Sequence, residues 1–367
     1  MRFPNTLNEN SPDSSAIGAE SILEEISQRV ANAMENRTRL KIVGGGTKNF
    51  YGRSTDGETL PVAGYCGITQ YEPAELVMTA RCGTPLSKIE ETLAANGQML
   101  AFEPPSFGTN ATLGGAIAAG LSGPRRPYAG AARDAVLGIK IMTGTGEVSS
   151  FGGQVMKNVA GYDVSRLMTG ALGTLGVLLE ISVRVAPRPQ IESTIGWEIG
   201  ALEAHEKMIK FGQQPLPISA MAYDHGIMRV RLAGHPTAVN DARAELSPDC
   251  QMANDYWYEL KEQTLPFFHG AEPLWRLSVA PASATALDGQ WLWDWGGACR
   301  WLRSEEPRER IREVARAAGG HASLFRHSAD DAPFTPLESA NSILHKRLKQ
   351  VFDPHGIFNL GRMYARL

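Results

Sequence analysis

Cysteine is scarce in this chain of 367 residues: there are four, Cys66, Cys82, Cys250 and Cys299, and no C-x-x-C pair. That spacing excludes a ferredoxin-type iron–sulfur cluster of the chain's own and a structural zinc ribbon. The plain reading is four reduced thiols in a cytosolic protein. Histidine is missing from the first 204 residues, and all eight lie at or after His205. The N-terminal half therefore uses no imidazole as base, metal ligand or covalent anchor. No apolar run approaches the roughly 20 residues that span a bilayer, so no direct membrane span is expected. Neither sign of charge dominates: Lys+Arg 36 against Asp+Glu 39 leaves −3, and no general attraction for nucleic acid is encoded. The start, MRFPNTLNENSPDSS, lacks a basic leader and an apolar core. It reads as a polar tail over 1–20 rather than a secretory signal.

What the chain has instead is glycine, 38 residues, with 22 prolines, on a background 43% hydrophobic and 20% charged. That background suits a soluble globular enzyme, and the length suits two domains. Ile22, Leu23, Ile26 and Val30 recur at helical spacing, with an end expected near Asn36. Strands are expected over 40–43, 76–80, 137–142 and 177–185, and a helix over 85–95. Pro187 and Pro189 remove backbone donors and mark a boundary near 190. Beyond it, strands are expected over 227–232, 275–279 and 323–325, and helices over 201–211, 305–318 and 337–351. Trp291, Trp293 and Trp295 are expected to share one face of a strand.

Three glycine clusters lie beside strands in the first half. They are Gly44-Gly45-Gly46-Thr47-Lys48, a stretch from Pro104 to Gly123 with glycine at 108, 114, 115, 120 and 123, and Gly170-Ala171-Leu172-Gly173-Thr174-Leu175-Gly176-Val177. With no Cβ in the way, backbone N–H groups approach phosphate oxygen closely. No Gly-Lys-[Ser/Thr] occurs, which excludes a Walker A loop, and Asn49 stands where a Rossmann fingerprint needs its third glycine. One such loop alone reads as an ordinary turn. Three in one half-chain favour a large diphosphate cofactor lying across several loops.

In 42–48, Tyr71-Glu72-Pro73-Ala74-Glu75-Leu76-Val77, 111–115, Arg133-Asp134-Ala135-Val136-Leu137-Gly138 and 173–177 the chain resembles a known family. That family is the FAD-binding domain of the vanillyl-alcohol oxidase / p-cresol methylhydroxylase (PCMH) type. Further stretches narrow the resemblance. In the first half they are Phe102-Glu103-Pro104-Pro105, Gly120-Leu121-Ser122-Gly123-Pro124-Arg125-Arg126-Pro127 and Lys157-Asn158-Val159-Ala160-Gly161-Tyr162-Asp163. Later come Asp294-Trp295-Gly296-Gly297-Ala298-Cys299-Arg300-Trp301, Gly319-Gly320-His321-Ala322 and Phe352-Asp353-Pro354-His355-Gly356-Ile357-Phe358-Asn359. Over nearly the whole chain after residue 20, these resemble the E-subunit family of bacterial glycolate oxidase (glycolate dehydrogenase).

The resemblance implies FAD. Gly44, Gly45, Gly46 and Thr47 would cradle its pyrophosphate through backbone amides, with Thr112, Gly114 and Gly115 on the other side. Pro105 and Gly108 would line the isoalloxazine approach, and Gly173 and Val177 would hold the adenosine end. Lys48, Thr109 and Thr174 complete the implied cofactor-binding set. Asn359 and Arg362 would return from the tail towards the flavin ring, where a cation near N1 stabilises the reduced anion. Where the family's tail has Asn-Pro-Gly, this chain has Asn359-Leu360-Gly361. Many relatives attach FAD through a histidine of this domain. Residues 1–204 have none, so non-covalent FAD is expected, with Cys66 or Cys82 as an anchor left open.

The catalytic D-type subunit of such complexes and its D-lactate-type relatives carry a His-x-Gly-Asp-Gly-Asn-x-His metal cluster. This chain lacks it, and no metal site is expected. The catalytic candidates are Arg276, Arg326, His321 and His327. Each arginine is either a solvated side chain or a carboxylate clamp, a task the guanidinium fork suits. The even spacing of His321 and His327 puts them on one strand face with Ser323 and Phe325. His225, His269 and His345 read as ordinary surface or core residues. Lys157 and Asn158 would face the flavin or a partner subunit, and Asp163 would cap the helix that follows.

The expected fold is α+β. A two-part PCMH-type FAD-binding domain covers 21–189, an antiparallel-sheet cap domain with helices covers 190–336, and a helix and tail over 337–367 return to the flavin domain. The expected function is that of an FAD-binding subunit in a glycolate dehydrogenase complex, which oxidises glycolate, a small 2-hydroxy acid, to glyoxylate. Its partners would be an FAD-binding D-type subunit and an iron–sulfur F-type subunit that passes electrons to quinone. The chain would be cytoplasmic, peripheral on the inner face of the bacterial inner membrane through those partners. Two alternatives stay open: a self-sufficient FAD-dependent 2-hydroxy-acid dehydrogenase, and a non-catalytic structural or electron-relay subunit. A flavin-dependent reductase using NADPH has only a shared fold in its favour.

Overall fold

The computed structural model describes residues 14–153, 162–326, 332–365 and 367. His327, Lys157 and Asn158 lie outside the described residues. The first helix, Ser14–Asn36, takes in the last residues of the expected tail. It buries Ile26, Val30 and Ala33 in one core with Leu40 of the strand Leu40–Val43, which pairs in parallel with Glu58–Pro61.

The same core continues into a five-stranded antiparallel sheet. Its strands run in the order Ile68–Glu72, Val77–Arg81, Val177–Arg184, Val136–Met142 and Val148–Gly152. In Val177–Arg184 both parities are apolar, Leu178 standing between Val177 and Leu179, and six of the residues are buried. A strand covered on both faces needs no polar side. The helices Leu86–Ala94, Leu113–Ala119 and Tyr162–Met168 accompany this sheet.

The second sheet has eight antiparallel strands: Cys250–Met252, Ile191–Glu198, Ile227–Gly234, Ile218–Asp224, Gln290–Asp294, Cys299–Arg303, Leu274–Ser278 and His321–Arg326. Helices Ala201–Gly212, Pro236–Leu246 and Arg308–Ala317 cover one face, burying Met208, Phe211 and Val239 at one end and Ile311 and Ala315 at the other. The opposite face carries Leu292, Trp301 and Phe325 and packs on Leu121, Leu172, Phe50 and Phe107 of the first half. The Gln290–Asp294 strand stops one residue before Trp295, whose φ of 55° turns the chain over. Trp291 and Trp293 therefore join the helix-side cores while Trp295 joins the cluster on the opposite face, which corrects the expectation of one shared face.

Two devices tie the halves together. Glu103 pairs with Arg125 at 3.2 Å and with Arg231 at 2.9 Å, and Arg125 also reaches Glu192. After the helix Ser339–Phe352 the tail lies beside the first strand, with Leu40 N donating to Ile357 O (2.7 Å) and Asn359 N to Leu40 O (3.0 Å). Among the described residues no helix is long and apolar enough to cross a membrane.

Candidate functional site

A trough runs along residues 41–49 between the first strand and the start of Leu113–Ala119, closed by Thr55, Leu172, Asn359 and Arg362. The amides of Gly44, Gly45, Gly46, Thr47 and Lys48 find no protein acceptor among the described residues. The hydroxyl of Thr55, a residue 9% exposed, is likewise without a partner. An unsatisfied buried polar group costs about 1–3 kcal/mol. A run of free donors with an orphaned hydroxyl at one cavity matches the oxygens of a diphosphate. Only glycine allows the turn. A Cβ on Gly45 would stand 1.5 Å from Asn110 O, and one on Gly44 would stand 2.8 Å from Thr112 Oγ1.

The second glycine loop is built differently. Thr112 caps Leu113–Ala119 by accepting from Gly115 N at 3.1 Å, while Leu113 N donates to Thr84 O and Gly114 N to Cys82 O. These amides are satisfied inside the protein, so Thr112, Gly114 and Gly115 shape the wall of the trough. Gly114 is required by the chain itself, since its Cβ would lie 2.7 Å from Cys82 Cβ. Gly108 adopts φ +135° against Thr47, and Thr109 is exposed. Gly173 (φ +70°) borders a second cavity of about 80 Å³ beside Gly44, Thr174 Oγ1 donates to Ala171 O at 2.7 Å, and Val177 is wholly buried in the sheet.

Asn359 and Arg362 hold the trough's rims. Asn359 Oδ1 accepts from Ile42 N at 2.9 Å and its Nδ2 donates to Leu172 O at 2.7 Å. Arg362, its pKa lowered by burial, donates to Arg53 O (3.0 Å), Lys48 O (3.3 Å) and Asn49 O (3.1 Å). Lys48 donates to Ser106 O at 3.1 Å. Burial brings its amine down to about 8, against the pull of Glu262. Glu262, on the cap helix Asp255–Glu262, accepts from Ser106 N (3.1 Å) and Phe107 N (2.7 Å), so it clamps the Pro105 turn onto the cap.

Beyond that turn, Pro105, Phe107, Arg276, Trp301 and Phe325 enclose a cavity of about 30 Å³. Strand register places Arg276 between Trp301 and Ser323, so the three project from one face. The guanidinium lies 4.9 Å from the Trp295 ring and 5.7 Å from the Trp301 ring, within cation–π range. Among the described residues it forms no ion pair with a carboxylate. Trp301 Nε1 is buried without an acceptor. Arg276 itself is half-buried. Nearby, burial pushes Asp294 up to about 7, against the Trp295 N–H it accepts at 2.7 Å and against Arg276, and pushes the Cys299 thiol up to about 11.

Arg326 is exposed, 4.6 Å from the Phe50 ring and 5.6 Å from that of Phe107, and donates to Gln263 Oε1 at 3.0 Å. His321 is exposed on the same strand, opposite Ser278. The fold thus brings Arg276 and Arg326 to one aromatic cluster and leaves His321 at its edge. Thr55, Glu262 and Trp301 were not singled out as site residues from the sequence. Trp301 lay in a stretch noted for its resemblance, while Thr55 and Glu262 carry no local signal.

A family model described as FAD binding domain matches residues 21–152. The chain is 48% identical to glycolate oxidase subunit GlcE of Escherichia coli (strain K12), over 95% of this chain and 98% of that protein. It is 31% identical to glycolate oxidase subunit GlcD of Bacillus subtilis (strain 168) over 47% of this chain and 37% of that protein. A D-lactate dehydrogenase of Anaerostipes hadrus is 32% identical over 34% of this chain and 26% of its own length. Among solved structures, alkyldihydroxyacetonephosphate synthase matches with a TM-score of 0.65 at 16% identity, covering 92% of this chain and 75% of its own, a likeness of fold. Near-complete alignment resolves what a shared fold leaves open: the chain belongs to the GlcE family of glycolate oxidase subunits, FAD-dependent oxidoreductases related to the hydroxy-acid dehydrogenases.

Proposed function

We propose that this subunit carries FAD non-covalently and holds the carboxylate of glycolate at Arg276, in a complex that oxidises glycolate to glyoxylate. The observation that carries the reading is Arg276 itself: a guanidinium held among indoles with no carboxylate ion pair among the described residues, beside the orphaned Trp301 N–H. Two such donors in a desolvated cleft suit one carboxylate.

The division of labour follows from position. The free amides of 44–48, with Thr55, would take the pyrophosphate, and Lys48 would add charge there. Gly173, Thr174 and Val177 would border the adenosine end, and Pro105 and Gly108 the ring. Asn359 and Arg362 fix the backbones that form the rims. FAD, when bound, supplies an acceptor for the hydride equivalent leaving the α-carbon. Phe107, Phe325 and Trp301 exclude water from the cleft, Arg326 adds a second cation at its mouth, and His321 or His327 would take the hydroxyl proton. The domain division proposed is 21–189, 190–336 and 337–367. Electrons would leave through an iron–sulfur F-type partner to quinone, alongside an FAD-binding D-type subunit, on the inner face of the bacterial membrane.

A second reading rests on the cavity beside Arg276. At about 30 Å³ it has room for about two waters. This favours a subunit that carries flavin but leaves substrate oxidation to the D-type partner. The visible spectrum of the purified chain, before and after anaerobic glycolate, separates the two. Flavin bands that bleach in the isolated chain, and do so at least 100-fold more slowly in Arg276→Met, support the first reading. Bands that bleach only after the other subunits are added support the second, and a chain without flavin bands overturns both.

A further inference from the structure

The helix Ser339–Phe352 is inside out. Its buried residues are Lys349 and Phe352, while Ile343, Leu344 and Val351 are 54%, 53% and 71% exposed. At 100° per residue, Ala340, Ile343, Leu344, Arg347 and Val351 fall on one stripe about 100° wide. Lys349 lies opposite, held by Thr174 O (2.6 Å), Asp353 Oδ2 (2.7 Å) and Phe358 O (2.9 Å). Its charge is fully satisfied, so the helix is locked with its apolar stripe outwards. A surface helix normally turns that stripe to its own core, because burying a Leu, Ile or Val side chain is worth about 1.5–3 kcal/mol. Three of the seven large apolar side chains described as exposed in this protein sit on this one helix.

We propose that this stripe seats another subunit of the glycolate-oxidising complex, through a patch that is apolar at its centre and rimmed by carboxylates. The inference rests on the reading of the chain as one subunit of such a complex. Charge selects the occupant. The helix carries Lys346 and Arg347 on its exposed side and has no Asp or Glu along its length. A second copy of the chain meeting the same stripe would bring these cations together with no counter-charge. A lipid surface would have to bury Arg347, which lies between Leu344 and Val351 on the stripe. Arginine amid apolar residues is instead what the centre of a protein interface uses. The helix end also adjoins the sheet strand Val148–Gly152, which is outermost among the described residues: Phe352 meets Phe151, ring centroids 6.4 Å apart.

The test uses the flavin-loaded full-length chain co-purified with the remaining subunits. Leu344→Glu and Arg347→Glu are each expected to weaken co-elution at least tenfold while leaving the isolated chain's flavin spectrum and melting temperature unchanged. Leu202→Glu, at an exposed leucine on another helix, is expected to assemble normally. If both stripe variants assemble like the wild type, the inference fails and the complex stands. If the wild-type chain itself never co-elutes with the other subunits, the complex reading fails and the inference with it. A Leu344-dependent homodimer, or Leu344-dependent binding to phosphatidylglycerol vesicles, overturns the inference in favour of those occupants.

Discussion

Two glycine-rich loops face each other across the trough, and they use glycine for opposite purposes. Along 44–48 the backbone leaves its amides without acceptors among the described residues, around a cavity. Along 113–115 the amides are satisfied by Thr84, Cys82 and Thr112, and Gly114 exists so that a helix end can touch Cys82. In a sequence the two look alike. A glycine removes a Cβ, but only the surroundings decide whether a ligand or another stretch of chain fills the space.

That contrast makes predictions of decreasing size. Gly45→Ala places a methyl 1.5 Å from Asn110 O, a clash with backbone that cannot rotate away. It is expected to destabilise the chain by about 3 kcal/mol or more and to strip it of flavin. A yellow, normally melting Gly45→Ala protein would break the comparison at its centre. Gly114→Ala meets Cys82 Cβ at 2.7 Å and should cost about 1–3 kcal/mol of stability by thermal melting. The folded fraction should keep its FAD affinity to within a few-fold, because Gly114 N is already spent on Cys82 O.

Lys48 sharpens the ligand side. Burial lowers its amine to about 8 in the free chain, and a neighbouring phosphate would raise it again. Above about pH 8 the free chain has lost a proton that the loaded chain retains, so FAD binding takes up a proton and affinity falls as pH rises. The fall should reach up to tenfold per pH unit in titrations of the apoprotein, and Lys48→Met should abolish the slope. The smallest effect belongs to Thr55→Val. Exchanging an orphaned buried hydroxyl for a methyl should leave apoprotein stability unchanged or about 1 kcal/mol higher, while FAD binds about fivefold more weakly. Unaltered FAD affinity would remove Thr55 from the site.

Much of the fold was legible because buried strands and amphipathic helices obey fixed periods. The expected strand over 40–43 forms at Leu40–Val43, the helix over 201–211 at Ala201–Gly212, and the helix over 337–351 at Ser339–Phe352. Periodicity failed where one residue left the regular conformation. Trp295 continues the alternation of Trp291 and Trp293 in sequence, yet its positive φ sends it to the other side of the sheet. Arg276 was equally ambiguous, since an alternating strand predicts only that it faces away from Trp275 and Leu277. Whether that means water or a desolvated cleft depends on what lies against the sheet, here the Pro105 turn held by Glu262 from 156 residues away.

By itself the sequence determined the α+β class, the run of strands and helices, and three glycine clusters beside strands. Each is a local property, written in spacing and in the absence of side chains. Only the tertiary structure decided which loop keeps its amides free, that Arg276 is half-buried among indoles, that Asn359 and Arg362 brace the trough from the tail, and that Lys349 turns inwards while Ile343 and Leu344 face out. Those outcomes depend on which distant groups arrive to accept a hydrogen bond or exclude water, and sequence spacing does not encode that meeting.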